Sequence, residues 1–371
     1  MKILFSDNTL WGLLNFRGPI IRHFVKSGHE LILVAPQDEA SDMKANIPTD
    51  IHFIPIKMKR SKIAPLSDID YFLTILKIYR EERPDYIFHY TIKPNIYGSM
   101  AAKILRFKSA MMIAGLGYTF SNNKITSHIA RGLYKIGMAC SDRVLVLNQN
   151  NYEEVVRRNL CIPEKITLLE CGEGVDTTIF QYQDNSSKNT TFLFIGRILY
   201  DKGYQEFVEC AKEIRREYPN VKFQVLGTFD KSNPMSVEVE VFEADCKSGI
   251  IEYLGFSNDI LSIYAHKGVV VVLPSYYGEG LNRSLMEACA TGKPIITTTI
   301  GGCRETVVNG KNGYLVAPKS TQGLVTAVKR YLALTDEEKH QMSLVSRQLA
   351  EQRFDIRTVI DVYKRLLNLS R

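Results

Sequence analysis

Short apolar runs alternate with helical patterns along most of this chain, stop at a polar tract after residue 180, and then start again. That rhythm narrows the fold more than any other feature. Met1–Ser6, Glu30–Ala35, Ile51–Ile56, Asp85–Tyr90, Ala110–Ala114, Arg143–Leu147 and Ile166–Leu169 read as strands. Phe16–Ser27, Ile69–Glu82, Asn95–Arg106 and Ile125–Ala139 carry helical spacing between them. Strands separated by helices build a parallel sheet covered on both faces. The tract Gln181-Tyr-Gln-Asp-Asn-Ser-Ser-Lys-Asn-Thr-Thr191 has no periodicity and reads as a linker. Strands then resume at Thr191–Ile195, Val221–Leu226, Ile251–Leu254, Val269–Leu273 and Pro294–Thr298.

The expectation is therefore an α/β protein of two doubly wound domains, 1–178 and 191–352, joined by 179–190 and followed by a C-terminal helix within 353–371. That helix, Ile356 to Asn368, has an apolar stripe of Val359, Val362, Tyr363 and Leu366. It packs either on the first domain or on the second. Ligands of such sheets lie beyond the strand C-termini, so a site is expected between two facing domains.

A length of 371 residues suits two domains, and a hydrophobic content of 45% supplies a core for each. The opening Met-Lys-Ile-Leu-Phe-Ser-Asp is too short an apolar run for a signal peptide, and no run approaches a membrane span. The seven cysteines are scattered and lack any Cys-x-x-Cys, which reads as reduced thiols in a cytosolic protein without a zinc or disulfide framework. Residues 1–140 hold 19 Lys and Arg against 11 Asp and Glu, whereas the remainder holds 28 against 29. A basic first half attracts anionic headgroups, diphosphates or nucleic acid, although a solvated surface has the same composition.

The most chemical stretch is Pro274-Ser-Tyr-Tyr-Gly-Glu-Gly-Leu-Asn-Arg-Ser-Leu-Met-Glu-Ala-Cys-Ala290. The apolar run Val269–Leu273 before it reads as a strand buried on both faces. A Gly278-Glu279-Gly280 turn and a helical pattern follow. The amides of Leu281, Asn282 and Arg283 then sit at a helix N-terminus, which suits a diphosphate. Glu279 lies in the turn and Glu287 about a turn into the helix, so the two carboxylates suit opposite ends of a polyhydroxyl ligand. Upstream, Arg197 and Lys202 flank the loop after the strand Thr191–Ile195. Two cations and a helix N-terminus neutralise a nucleotide diphosphate, and carboxylates accept hydrogen bonds from ribose and sugar hydroxyls. This inventory describes a nucleotide-sugar site. Gly115-Leu-Gly117 and Gly278-Glu-Gly280 each lack the third glycine of a dinucleotide fingerprint, which argues against NAD. Asp68-Ile-Asp70 has the spacing of a metal-binding Asp-x-Asp but reads as a helix start.

With Gly196-Arg197, Lys202-Gly203, Glu279, seven residues, Glu287 and Gly301-Gly302-Cys-Arg-Glu305 in this order, the chain resembles glycosyltransferase family four over essentially its whole length. These are retaining transferases of GT-B fold, with two facing Rossmann-like domains and a last helix that crosses back to the first. The resemblance implies that Arg197 and Lys202 bind the diphosphate and stabilise the leaving charge. It implies that Glu287 binds ribose and that Glu279 contacts the donor sugar. Gly280, Leu281 and Asn282 join them as donor-site residues, and Gly12, after the first strand, is expected to approach the donor closely. His89-Tyr-Thr-Ile-Lys93-Pro-Asn95, Asn15-Phe-Arg17 and Ala114-Gly-Leu-Gly-Tyr-Thr are similar to a subgroup that elongates undecaprenyl-diphosphate-linked sugars. Asn15, Arg17, His89, Lys93 and Asn95 are the corresponding acceptor candidates, with Lys93 placed to hold a diphosphate. A core histidine and a solvated lysine are the plain alternatives for His89 and Lys93. Where many relatives carry a histidine, this chain has Gly115 and Leu116.

Lys124, His128, Arg131 and Lys135 make a basic stripe beside an apolar one of Ile125, Ile129, Leu133 and Ile136. A basic amphipathic helix lies on an anionic membrane or covers an ordinary domain surface. Two further basic clusters, Lys57–Lys62 and Lys103–Lys108, favour the membrane and make Lys124, Arg131 and Lys135 candidate contacts. The expected enzyme is a retaining, metal-independent transferase without a cofactor, on the inner face of the plasma membrane. It moves a hexose or N-acetylhexosamine, first choice N-acetylgalactosamine, from a UDP-sugar to a lipid-diphosphate-linked saccharide, and no nucleic acid is involved. The rivals are a UDP-sugar 2-epimerase of similar architecture and a non-catalytic membrane-associated relative.

Overall fold

A computed structural model of the chain describes residues 1–36, 47, 50–58, 65–115, 125–187, 189–230, 233–257, 259–277 and 280–368. The chain divides into two compact units, Met1–Glu173 with Ile356–Arg371, and Gly174–Asp355.

The first unit holds a seven-stranded sheet of β1 (Lys2–Ser6), β2 (Glu30–Pro36), β3 (Ile51–Ile56), β4 (Tyr86–Tyr90), β5 (Lys108–Ile113), β6 (Arg143–Val146) and β7 (Ile166–Leu168). Its order is β3-β2-β1-β4-β5-β6-β7, with every pairing parallel. The central strands are buried throughout, which is why they read as unbroken apolar runs instead of alternating ones. Helix Leu10–Lys26 and the terminal helix Ile356–Asn368 cover one face, sharing a core with Phe5, Phe88 and Tyr90. On that face Tyr363 packs its ring 4.6 Å from Phe88, and its hydroxyl lies 2.9 Å from that of Tyr90. Helices Pro65–Glu82, Ser99–Leu105 and Ile125–Cys140 cover the other face.

The second unit repeats the arrangement with six parallel strands: β8 (Thr191–Ile195), β9 (Lys222–Leu226), β10 (Glu252–Tyr253), β11 (Val269–Leu273), β12 (Ile295–Thr298) and β13 (Gly313–Val316). The order is β10-β9-β8-β11-β12-β13. In both sheets the chain winds outward from one central strand, returns to its other side and winds the opposite way. The reversal falls between β1 and β4 in one unit and between β8 and β11 in the other, which is where open α/β sheets bind ligands.

The tract 179–190 read as a linker is instead part of the second unit. Asn185 is buried and its side chain pairs with the backbone of Val269, accepting from the N–H at 3.1 Å and donating to the carbonyl at 2.9 Å. Buried Lys293 donates to the same Asn185 Oδ1 at 3.0 Å. Within this polar tract, Asn185 thus serves buried hydrogen bonds. The chain passes between units at Glu173–Gly174 and again at Asp355–Ile356.

Candidate functional site

The C-terminal edge of the second sheet gathers most of the donor-site candidates. Beyond β8, residues Tyr200–Lys202 form a single 3-10 turn that ends on Gly203 at φ 83. A Cβ on Gly203 would lie 2.4 Å from the Pro274 carbonyl oxygen, so only glycine lets this turn seat against the strand exit of β11. The Asp201 carbonyl then accepts from the N–H groups of Tyr276 and Tyr277 at 2.9 and 3.0 Å. These bonds bring the β8 and β11 loops together at the point where the sheet order reverses. Lys202 comes from the first loop with its ammonium 5.5 Å from the Tyr277 ring centroid. It is buried, although it lies in a loop. Arg197 is 45% exposed and donates to Asp230 Oδ2 at 2.9 Å.

Helix Arg283–Ala290 follows β11 and is capped by the Asn282 side chain, whose Oδ1 accepts from the Leu285 N–H at 3.3 Å. Leu281 therefore stands one residue before the cap and not within the helical turn. Gly302 abuts this entrance: a Cβ there would lie 2.2 Å from the Gly280 carbonyl carbon. Gly280 and Leu281 are thus wedged against the start of helix Gly301–Arg304. Glu287, one turn into the helix, is buried and accepts from Arg283 Nε at 2.7 Å. Burial pushes its carboxyl above the usual range, and the Arg283 guanidinium opposes that rise. Glu279 and Gly278 lie outside the described residues.

The residues expected to meet an acceptor are in the first unit, and most of them are already engaged there. His89 is wholly buried on β4, with Nε2 2.9 Å from the Tyr79 hydroxyl and Nδ1 3.3 Å from the Ser99 hydroxyl. Burial pushes its imidazole down to about 3, so in this structure it is a neutral group of the core. Arg17 is buried in a paired contact with Glu173, at 2.9 and 3.2 Å, and lies 4.3 Å from the Tyr90 ring centroid. Lys93 is buried with its ammonium 2.6 Å from Asp68 Oδ1, while Asp68 Oδ2 accepts from Tyr97 at 3.2 Å. Asn95 is buried and donates to the Met112 carbonyl at 2.7 Å. Arg17, Lys93 and Asn95 therefore hold the unit's interior in this conformation. Asn15 is half-buried on helix Leu10–Lys26. The Gly12 N–H is spent on the helix cap, donating to Thr9 Oγ1 at 2.7 Å.

Of the candidate membrane residues, Lys124 lies outside the described residues, Arg131 is half-buried and Lys135 is exposed. No helix among the described residues is long and apolar enough to cross a membrane. Sequence reading missed three ionic partners. Arg283, four residues before Glu287, was legible as an i, i+4 pair on one helix. Glu173 and Asp68, 156 and 25 residues from Arg17 and Lys93, gave no such signal.

Residues 2–148 match the family described as glycosyl transferase 4-like, and residues 175–348 match glycosyl transferases group 1. The chain is 26% identical over 362 residues to the N,N'-diacetylbacillosaminyl-diphospho-undecaprenol alpha-1,3-N-acetylgalactosaminyltransferase of Campylobacter jejuni, covering 93% of this chain and 92% of that protein. It is 24% identical over 300 residues to the UDP-Gal:alpha-D-GlcNAc-diphosphoundecaprenol alpha-1,3-galactosyltransferase of Escherichia coli, covering 77% and 75% of the two chains. Among solved structures, Anabaena HepE in complex with UDP and glucose matches 99% of both chains with a TM-score of 0.80 at 19% identity, a likeness of fold.

Proposed function

We propose, on the premise that this chain belongs to the glycosyltransferases built from a 4-like first domain and a group 1 second domain, that it transfers a hexose or N-acetylhexosamine from a UDP-sugar to a lipid-diphosphate-linked saccharide. The observation that carries this reading is the buried Glu287 with its Arg283 partner, set beside the clipped Lys202 loop where the second sheet reverses. A buried ionised carboxylate is a strong acceptor for the paired hydroxyls of a ribose. Lys202 and Arg197 supply the positive charge that a departing nucleoside diphosphate requires, Arg197 by exchanging Asp230 for phosphate. Glu279 is assigned to the donor sugar by resemblance alone. The Campylobacter and Escherichia relatives, both named for undecaprenyl-diphosphate-linked acceptors, support an acceptor of that class and surface-glycan assembly as the setting. UDP-N-acetylgalactosamine is the first donor to try.

The anomeric configuration is retained in this reading. The acceptor hydroxyl attacks the face from which UDP departs, and the leaving phosphate takes the hydroxyl proton. The new C–O bond forms as the anomeric C–O bond breaks, and no enzyme carboxylate is alkylated. The reaction runs without a metal, at the cytoplasmic face of the membrane that holds the lipid-linked acceptor.

A panel of UDP-sugars with an extracted lipid-diphosphate saccharide, read by mass spectrometry and by the anomeric proton coupling of the product, tests the reading. Transfer from one UDP-sugar with retention supports it. Interconversion of UDP-sugars without acceptor would establish an epimerase, and no turnover with any donor would leave a non-catalytic relative.

A further inference from the structure

Five large apolar side chains stand on the outer faces of three neighbouring helices of the first unit. Ile69 and Leu73 are on Pro65–Glu82, Ile104 is on Ser99–Leu105, and Ile129 and Ile136 are on Ile125–Cys140. Each is between 47% and 61% exposed. Helix Ser99–Leu105 packs against both of the others, so the three outward faces adjoin. Single exposed aliphatic residues are ordinary on soluble proteins, but five on adjoining helices are not. Within the two longer helices the spacing is that of one face: four residues separate Ile69 from Leu73, and seven separate Ile129 from Ile136. The opposite faces of these helices are committed to the sheet through Tyr71, Ile75, Tyr134 and Met138.

The rim of this surface is basic. Lys77, Lys103, Arg106 and Lys135 are exposed on the same three helices or just beyond their ends. Helix Pro65–Glu82 exposes two carboxylates, Asp70 beside Ile69 and Glu81, which lies 3.9 Å from Lys77, whereas the described faces of the other two helices expose none. Long cationic side chains around an aliphatic surface match a layer whose outer plane is phosphate and whose interior is hydrocarbon.

We propose that these three helix faces together form the surface by which the first unit docks on an anionic phospholipid leaflet, Ile69, Leu73, Ile104, Ile129 and Ile136 entering the headgroup boundary and the basic rim meeting lipid phosphates. Sequence reading pointed to a basic and an apolar stripe on the single helix that holds Ile129 and Ile136, with two basic clusters elsewhere. The structure adds Ile69, Leu73 and Ile104 on two neighbouring helices, so the apolar component spreads over three. The proposal takes its biological reason from the lipid-linked acceptor proposed above, but its test is independent of transfer. An electrostatic stripe alone releases with salt, because counterions screen it within about 10 Å at 0.1 M. A surface that also buries aliphatic side chains keeps part of its binding.

The experiment compares the parent with Ile69→Ser/Leu73→Ser, Ile129→Ser/Ile136→Ser and a control on the second unit, Val241→Ser/Leu344→Ser. Each is co-sedimented with vesicles of phosphatidylcholine alone or with phosphatidylglycerol, at low and high salt, after circular dichroism has confirmed the fold. The parent and the control are expected to bind the anionic vesicles and to keep a measurable fraction at high salt. Each double variant on the proposed surface is expected to lose that salt-resistant fraction and to bind at least fivefold more weakly at low salt. On a long-chain acceptor in vesicles these variants slow by a similar factor, while turnover on a short-chain soluble acceptor stays at the parent's rate. Parent-like vesicle binding by both variants overturns the proposal. So does a parent that ignores anionic vesicles, or a parent dimer that the serine variants break, which would make the face a contact between copies. If the parent binds vesicles but transfers sugar to neither acceptor, the transferase reading fails and the docking surface stands.

Discussion

Arg283 Nε lies 2.7 Å from Glu287 Oε1 one turn along the same helix, where the carboxylate is almost closed to water. Desolvation raises the proton affinity of Glu287, and the guanidinium holds it back. A further titratable group near it is Tyr264, which burial keeps neutral. Glu287 thus owes its usefulness as an ionised acceptor to its neighbour.

Replacing Arg283 by leucine should raise the Glu287 carboxyl further, so that the protonated form grows as pH falls. UDP affinity should drop by on the order of tenfold at neutral pH, and by more at pH 6 than at pH 8.5. Arg283→Lys should restore part of it. Calorimetric UDP titrations across that range are the measurement, and a pH-independent loss in the leucine variant would contradict the account.

Lys202→Met and Arg197→Ala should each reduce turnover about a hundredfold if they stabilise the departing diphosphate. They should differ in stability. Lys202 is buried under the loop clip, whereas Arg197 is exposed and pairs only at its tip with Asp230, so Lys202→Met should be the one that moves the melting temperature. Near-parent turnover in both variants would remove them from the site.

His89 contributes to acid sensitivity. The free imidazole titrates near about 6.5, while the buried one is held down to about 3. Below about pH 6.5 the unfolded chain takes up the proton first. The stabilising contribution is therefore complete above that value and is lost as pH falls toward 3, on the order of a few kcal/mol in all. His89→Gln removes the titration, and its melting temperature should fall less between pH 7 and pH 4.5 than the parent's. Equal slopes would show that other groups dominate.

Excess EDTA should leave most activity intact. Asp68, which has the spacing of a metal-binding pair with Asp70, is already held by Lys93 and Tyr97. Complete loss of turnover, restored by manganese, would overturn that expectation.

Much of the architecture was legible because parallel strands buried on both faces leave an unmistakable signature, as in Val269–Leu273. β13 was missed because Gly313–Val316 is only four residues long and begins on a glycine. The second-unit candidates could be named because strand exit, turn and helix follow one another in sequence, and the structure puts Lys202 in the turn after β8 and Glu287 in the helix after β11. The partners of those in the first unit were not legible. Arg17, His89 and Lys93 do stand at strand exits and helix starts, where ligands bind. What decides their role is a partner elsewhere in the chain, Glu173, Tyr79 or Asp68, and such pairings leave no periodic trace.

The terminal helix sets an order of assembly. The second unit is complete once Asp355 has been made, but the first lacks Val359, Tyr363 and Leu366 of its core until helix Ile356–Asn368 has followed. Of the two units, the one that starts first is thus the later to mature. A nascent chain would carry a finished second unit while the sheet face beside Phe88 and Tyr90 was still bare, and a nonsense codon near position 356 would be felt some 270 residues upstream.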